Sequence, residues 1–276
     1  DAAGEVYVIA YLFLDERRRV VTHALSIATL LVAAAFIVFG VGGNGVVMEG
    51  LFHRDLASDA LKLIMLLVSA AALAYLWPFM RERGLYRAEV SILVLFAVIG
   101  MMLLVSAGNL TMIYLGLELM ALCSYALVAV DRDSKLASEA GMKYFVLGSL
   151  SSGLLLYGLS LIYGATGSLY LEQINVAAGV LAGEDRILLL AGLVFSVAGV
   201  AFKFGAAPFH MWLPDTYHGA PTPITLFIGS APKLAAFGLA WRLFEQGMGP
   251  LADNWQLLLA LLAALSLAIG NVVAIA

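Results

Sequence analysis

The sequence predicts an all-α polytopic membrane protein, and three observations carry that prediction. Of the 276 residues, 63% belong to the set Ala, Val, Ile, Leu, Met, Phe, Trp, Tyr and Cys, and only 12% are charged. Mean hydropathy is +0.98, which a water-facing surface on a domain of this length could not sustain. The apolar residues also gather in runs of the ~20 needed to cross a hydrocarbon core of ~30 Å. These runs fall at 20–41, 60–80, 88–107, 109–130, 138–165, 186–205, 222–245 and 254–276, with residues 5–14 as the tail of an earlier span. About nine spans, the first partial, therefore make a single membrane domain over 1–276. Several connections are short, which leaves antiparallel neighbours as the practical arrangement.

The loops predict which end of each span is which. Arg17, Arg18 and Arg19 precede the 20–41 span; Arg81, Arg83 and Arg87 follow the next; Arg132 and Lys135 lie in the loop 131–137. Alternating spans put all eight on one face. The opposite loops, 42–59 and 166–185, carry Glu49, Asp55, Asp59, Glu172, Glu184 and Asp185, with Arg54 as their internal basic residue. The positive-inside rule makes the basic face cytoplasmic. Residues 1–14 have neither a basic leader nor a small-residue cleavage site, so no cleavable signal peptide is expected there. The apolar run that closes the sequence reads as part of a longer protein.

Composition also excludes functions. The formal charge is −4 and the basic residues form no stripe, which argues against a nucleic-acid partner. Cys123 is the single cysteine, so the chain can build neither an internal disulfide nor a Cys-based zinc or iron–sulfur centre. "GVGGNG" at 40–45 fits G-x-G-x-x-G, but it follows an apolar span rather than a strand and is rejected as a dinucleotide site. "NLT" at Asn109 is a formal glycosylation sequon that opens a span directly and reads as a helix cap. Gly148, Gly153 and Gly158 read as close-packing positions between helices.

Charged residues inside the spans need individual reasons. Lys62 and Arg242 lie near helix ends, where long side chains snorkel to the headgroups. Glu139 and Lys143, spaced i, i+4 near the basic face, suit a partly wet ion pair that is either structural or the mouth of a polar path. Glu118 and Lys233 differ, because each lies nine to eleven residues inside its span, ~14–16 Å from the helix end at 1.5 Å per residue. Side chains that deep line a polar path or pair with one another.

The stretch "AGVAFKFGAAPFHMWLPD", 198–215, adds Lys203 to this group. Gly205 and Pro208 break the helical ladder just after the lysine, yet the chain stays apolar through Trp212. The expectation is a discontinuous span, non-helical over 203–210, whose freed backbone groups sit beside a charge. His210 and His218 follow the break and read either as proton relays or as ordinary hydrogen-bonding side chains.

Three segments then carry a resemblance: "YLGLELMALCSYALVA" around Glu118, "EAGMKYFVLGSLSSGLLLYG" around Lys143, and "FKFGAAPFHMWLPDTYHGAPTPITLFIGSAPKLAAF" around Lys203 and Lys233. From about residue 60 onward the chain resembles subunit N of the proton-pumping NADH-quinone oxidoreductase, respiratory complex I. The "PFHMWLPD…GAPTP" run is similar to the whole antiporter-like superfamily, and "APKLAAF" to subunit N within it. The resemblance implies an antiporter-like fold with inverted five-helix repeats, the first over 88–245 and the second opening at 254–276. It implies that Glu118 and Lys203 form a Glu–Lys pair, that Lys233 is a central lysine, and that protons pass between them, driven by quinone reduction in partner subunits. The chain would then be a non-redox subunit binding no cofactor, with NADH, FMN, iron–sulfur clusters and quinone held by partners, and neighbouring antiporter-like subunits beside it. A second broken helix and its lysine have no counterpart in the 276 residues. A bacterial inner membrane is the expected location, although an organelle-encoded copy would read similarly. The competing reading is a subunit of an Mrp-type cation/proton antiporter with no redox partner.

Overall fold

The computed structural model describes residues 19–40, 42–43, 45–85 and 87–275. The partial span at 5–14 and the basic residues Arg17 and Arg18 lie outside the described residues, as does the side chain of Arg19.

Among the described residues there are ten α-helices, eight on the apolar runs and two, α6 and α8, in the connections between them: α1 (Arg19–Val38), α2 (Leu56–Glu82), α3 (Ala88–Val105), α4 (Leu110–Val128), α5 (Lys135–Thr166), α6 (Leu171–Val180), α7 (Gly183–Phe204), α8 (Trp212–Gly219), α9 (Thr222–Ala240) and α10 (Ala252–Ile275). Among the described residues, seven helical stretches have the length and hydropathy to cross a membrane, and Glu89–Val105 is a shorter apolar one. Local signals place their starts. Asp55 caps α2 by accepting from the Ser58 amide while Ser58 Oγ returns a bond to the Asp55 amide, a reciprocal capping box. Asn109 caps α4 through the Met112 amide, as its position before the span suggests. Ser134 does the same for α5 at Ala137.

Close packing of pairs builds the bundle. A Cβ on Gly158 of α5 would lie 2.8 Å from the Gly192 carbonyl of α7 and 2.6 Å from Ser196 Oγ, so this crossing needs a glycine. Gly148 accommodates the Tyr125 side chain from α4. Gly153 corrects the expectation for that trio, because a Cβ there would meet nothing within 4 Å.

One end of the bundle is knitted by its loops. The α1–α2 connection forms a small antiparallel hairpin, β1 (Gly45–Val47) with β2 (Phe52–Arg54), in the register Val46 opposite His53. The glycine-rich run before it leads into a three-residue strand and no helix. His53 donates its amide to the Ser106 carbonyl (2.7 Å), and Gly108 to Leu51 (2.9 Å). Leu171 donates to Gly108 (3.0 Å), joining the α5–α7 connection. The acidic loops 42–59 and 166–185 therefore share a face. At the other end, Arg132 lies 3.7 Å from Glu89, bringing the α4–α5 loop to the start of α3.

Arg242 and Lys62 overturn the snorkelling expectation. After Ala240 the chain winds as a π-helix, Trp241–Gly247, and Arg242 is only 1% exposed. Its Nε donates to the Val105 carbonyl (2.8 Å) and its Nη1 to Gln246 Oε1 (2.6 Å). Nη1 also lies 2.8 Å from Asp55 Oδ2. The helix end is covered by the hairpin and α3, so the guanidinium turns inward to partners already beside it. Burial alone would push the Asp55 carboxyl up, but the Ser58 amide and the Arg242 guanidinium together hold it below its ordinary value. Lys62 is likewise buried, with its ammonium 4.5 Å from the centroid of the Phe52 ring.

Candidate functional site: a broken helix between two lysines

The break is present, starting two residues and ending one residue later than expected. Lys203 and Phe204 are the last helical residues of α7; 205–211 is non-helical, and α8 resumes at Trp212. Gly205 supplies the reason with φ +73°, a left-handed conformation that other residues adopt at a cost. Pro208 then lacks the amide that a continuing helix would require.

A helix ending inside an apolar bundle leaves carbonyls that must be satisfied by protein. Lys233 of α9 does this directly: its Nζ donates to the carbonyls of Lys203 (2.9 Å) and Phe204 (3.0 Å). A cation at a helix C-terminus also meets the negative end of the helix dipole. Pro232, immediately before it, removes one backbone bond from α9 at this level. The indole of Trp212 donates to the Phe202 carbonyl (2.9 Å), and Lys233 Nζ lies 4.7 Å from the centroid of the Trp212 ring system. Ala207 donates its amide to Ser266 Oγ of α10 (2.9 Å).

Lys203 is 8% exposed, and its Nζ makes no hydrogen bond within the described protein. Its nearest aromatic rings are Phe202 (5.7 Å) and Tyr125 (5.9 Å). Glu118 Oε1 is also buried without a hydrogen bond. No ion pair closes between them, so the Glu–Lys pair implied by the resemblance is not in direct contact. Tyr125 follows Glu118 by seven residues, which returns it to the same face of α4 about two turns on, and Lys203 Nζ lies 5.9 Å from the Tyr125 ring centroid. Tyr125, Tyr144 and Trp212 pack in sequence, with ring centroids 4.7 and 4.6 Å apart. This aromatic stack spans α4, α5 and α8 between the two lysines.

Nearer the basic face, Lys143 Nζ lies 2.8 Å from both Glu139 and Asp215, so the i, i+4 pair is a three-residue cluster tying α5 to α8. All three side chains are exposed, Lys143 by 44%. His210 lies within the break with Nδ1 buried and without a hydrogen-bond partner; His218 is exposed near the end of α8. Sequence reasoning missed Asp215, Tyr144 and Ser266 as parts of the site. Only Ser266 carried a signal, as an isolated hydroxyl in the apolar run 257–270.

A helical membrane fold with one interrupted span and buried lysines at the interruption defines the antiporter-like class of membrane subunits. The chain belongs to the family described as NADH:quinone oxidoreductase/Mrp antiporter, TM, which matches residues 107–276. It is 60% identical over 265 residues to NADH-quinone oxidoreductase subunit N of Xanthomonas euvesicatoria pv. vesicatoria (strain 85-10), covering 96% of this chain and 54% of that protein. The corresponding protein of Thiobacillus denitrificans (strain ATCC 25259 / T1) is 49% identical, covering 100% and 59%. The chain thus spans about half the length of the curated relatives it matches. Among solved structures, respiratory complex I from Thermus thermophilus with bound Aureothin contains a chain 33% identical, with a TM-score of 0.71 over 87% of this chain and 52% of that one. The Mrp complex from Dietzia sp. DQ12-45-1b gives the same TM-score, 0.71, at 24% identity, a likeness of fold alone.

Proposed function

We propose that this chain is part of a proton-translocating, non-redox membrane subunit of an NADH-quinone oxidoreductase, corresponding to subunit N, in a bacterial inner membrane. The observation that carries the reading is the interrupted α7, whose exposed C-terminal carbonyls are held by Lys233 while Lys203 lies buried and unpaired beside them. A cation held by backbone dipoles next to a second, unneutralised amine is an arrangement in which one proton more or less changes the local balance. A nearby carboxylate favours the charged form of a buried amine, so the Glu118–Lys203 separation becomes a control on proton loading. Protons would arrive from the basic, cytoplasmic face near Lys143, pass by Lys203 to Lys233, and continue into the part of the protein beyond residue 276. The helices of 88–245 would form the first inverted repeat, and α10 would open the second. NADH, FMN, iron–sulfur clusters and quinone belong to partner subunits in this reading, with other antiporter-like subunits as neighbours.

The test is purification of the full-length protein from its native membrane, with Lys203→Met beside the unaltered chain. Co-purifying flavin and iron–sulfur clusters, with proton pumping lost in Lys203→Met while the complex still assembles, is the expected result. Co-purification with cation/proton antiporter subunits and no flavin would replace this reading with the Mrp-type one.

A further inference from the structure

The backbone groups released by the break are satisfied from three different helices, and one of those helices lies outside the five-helix unit. Gly205 and Ala206 donate their amides backwards to Phe202 and Ala201, both at 2.9 Å. The carbonyls of Phe202, Lys203 and Phe204 are taken by Trp212 and Lys233, from α8 and α9. Pro208 has no amide to place. The Ala207 amide, in the centre of the break, is buried with its residue and goes to Ser266 Oγ of α10.

Ser266 is unusual for its helix. Residues 257–270 of α10 are otherwise apolar or glycine, and the helix has no buried residue of its own. The hydroxyl donates to the Leu262 carbonyl one turn back (2.7 Å), which orients its lone pairs outward from α10. It can then accept from Ala207 without competing for its own proton. An apolar side chain there would leave a buried amide without an acceptor, at the cost of desolvation rather than of one exchangeable bond.

We propose that Ser266 is a positioning residue: it holds the α7 break in its open, non-helical form and so ties the carbonyls that grip Lys233 to the position of α10. This rests on the proton-path reading above. Movement of α10 would stretch the Ala207 bond, and the 205–211 segment with its two lysine-bearing neighbours would shift with it. A hydroxyl is required and its size is secondary, so Thr should substitute and Ala should not.

The experiment uses the full-length protein in its native membrane, with Ser266→Ala, Ser266→Thr and the unaltered residue. Hydrogen–deuterium exchange of peptides covering 205–211 is followed by mass spectrometry, and the pH profile of proton pumping is recorded on the same membranes. Exchange at Ala207 should rise about fivefold in Ser266→Ala, the population equivalent of one hydrogen bond's net contribution, and remain near normal in Ser266→Thr. The pumping profile should shift along the pH axis in Ser266→Ala and be restored in Ser266→Thr. Unchanged exchange in Ser266→Ala overturns the proposed hold on the break; raised exchange with an unmoved pumping profile overturns its role in positioning the lysines. Failure of the proton-path reading is separately visible, because Lys203→Met would then pump normally whatever Ser266 does.

Discussion

Arg242 and Asp55 offer a perturbation whose size follows from their unequal burial. Arg242 is 1% exposed and Asp55 38%, so removing either partner leaves a different remainder. Arg242→Met removes the buried charge and its desolvation cost together; Asp55 turns to solvent and still caps α2, while the Val105 carbonyl loses its donor. One stranded backbone acceptor costs about 1–3 kcal/mol. Asp55→Asn keeps an N-cap of similar quality but leaves the guanidinium buried without its anion. Breaking a buried pair this way costs about 3–5 kcal/mol, and solvent screening at the exposed carboxylate places the expectation at about 3 kcal/mol. Asp55→Ala adds the lost cap, about 1 kcal/mol more. The expected order of destabilisation is therefore Arg242→Met, then Asp55→Asn, then Asp55→Ala, and the double variant Asp55→Asn/Arg242→Met should cost less than the sum. Cys123, 7% exposed, serves as the reporter: its alkylation during thermal unfolding of the full-length protein in nanodiscs is read at its own peptide. Acid gives an independent check. A carboxyl held below its ordinary value contributes stability above that value and loses it as pH falls through the lowered one, so the gap between the unaltered protein and the Asp55→Asn variant should persist at neutral pH and close only in strong acid. Additive single and double variants, or Arg242→Met costing more than Asp55→Ala, would refute the argument.

Glu118→Gln keeps the shape and a hydrogen-bonding group but removes the charge that acts on Lys203; proton pumping should fall while assembly holds, and failed assembly would make the glutamate a support of the fold. Trp212→Phe removes the indole bond to the Phe202 carbonyl while Gly205 still donates to that oxygen, so unfolding stability should drop by only about 1 kcal/mol; a loss several times larger would mean the stack itself holds the break. Lys143→Cys in a Cys123→Ser background should react with a membrane-impermeant maleimide from the cytoplasmic side alone, and labelling from the opposite side would reverse the orientation assigned to the basic loops.

Hydropathy alone determined the membrane architecture, because ~20 consecutive apolar residues have few alternatives to a spanning helix. Gly205 and Pro208 likewise announced the break, since each acts on its own backbone: one permits a left-handed residue and the other removes an amide. Asn109 was legible as a cap for the same local reason. The local pair Glu139–Lys143 was legible from its i, i+4 spacing, but the partners of the charges that meet across helices were not. Arg242 lay where a lysine or arginine ordinarily snorkels, and only the hairpin folding over that end, with Asp55 brought from 187 residues away in sequence, turned it inward. Lys233 was expected to line a polar path or to pair with another charge, and only the tertiary fold placed it against the backbone carbonyls of Lys203 and Phe204. Whether Glu118 and Lys203 touch was not legible either; the fold closes no ion pair between them and brings Lys203 Nζ to 5.9 Å from the Tyr125 ring centroid. Side-chain periodicity says which face a residue occupies within its own helix; the relative height and rotation of two packed helices depend on where small residues such as Gly158 and Gly192 let backbones meet, and that is a property of pairs which a single helix does not carry.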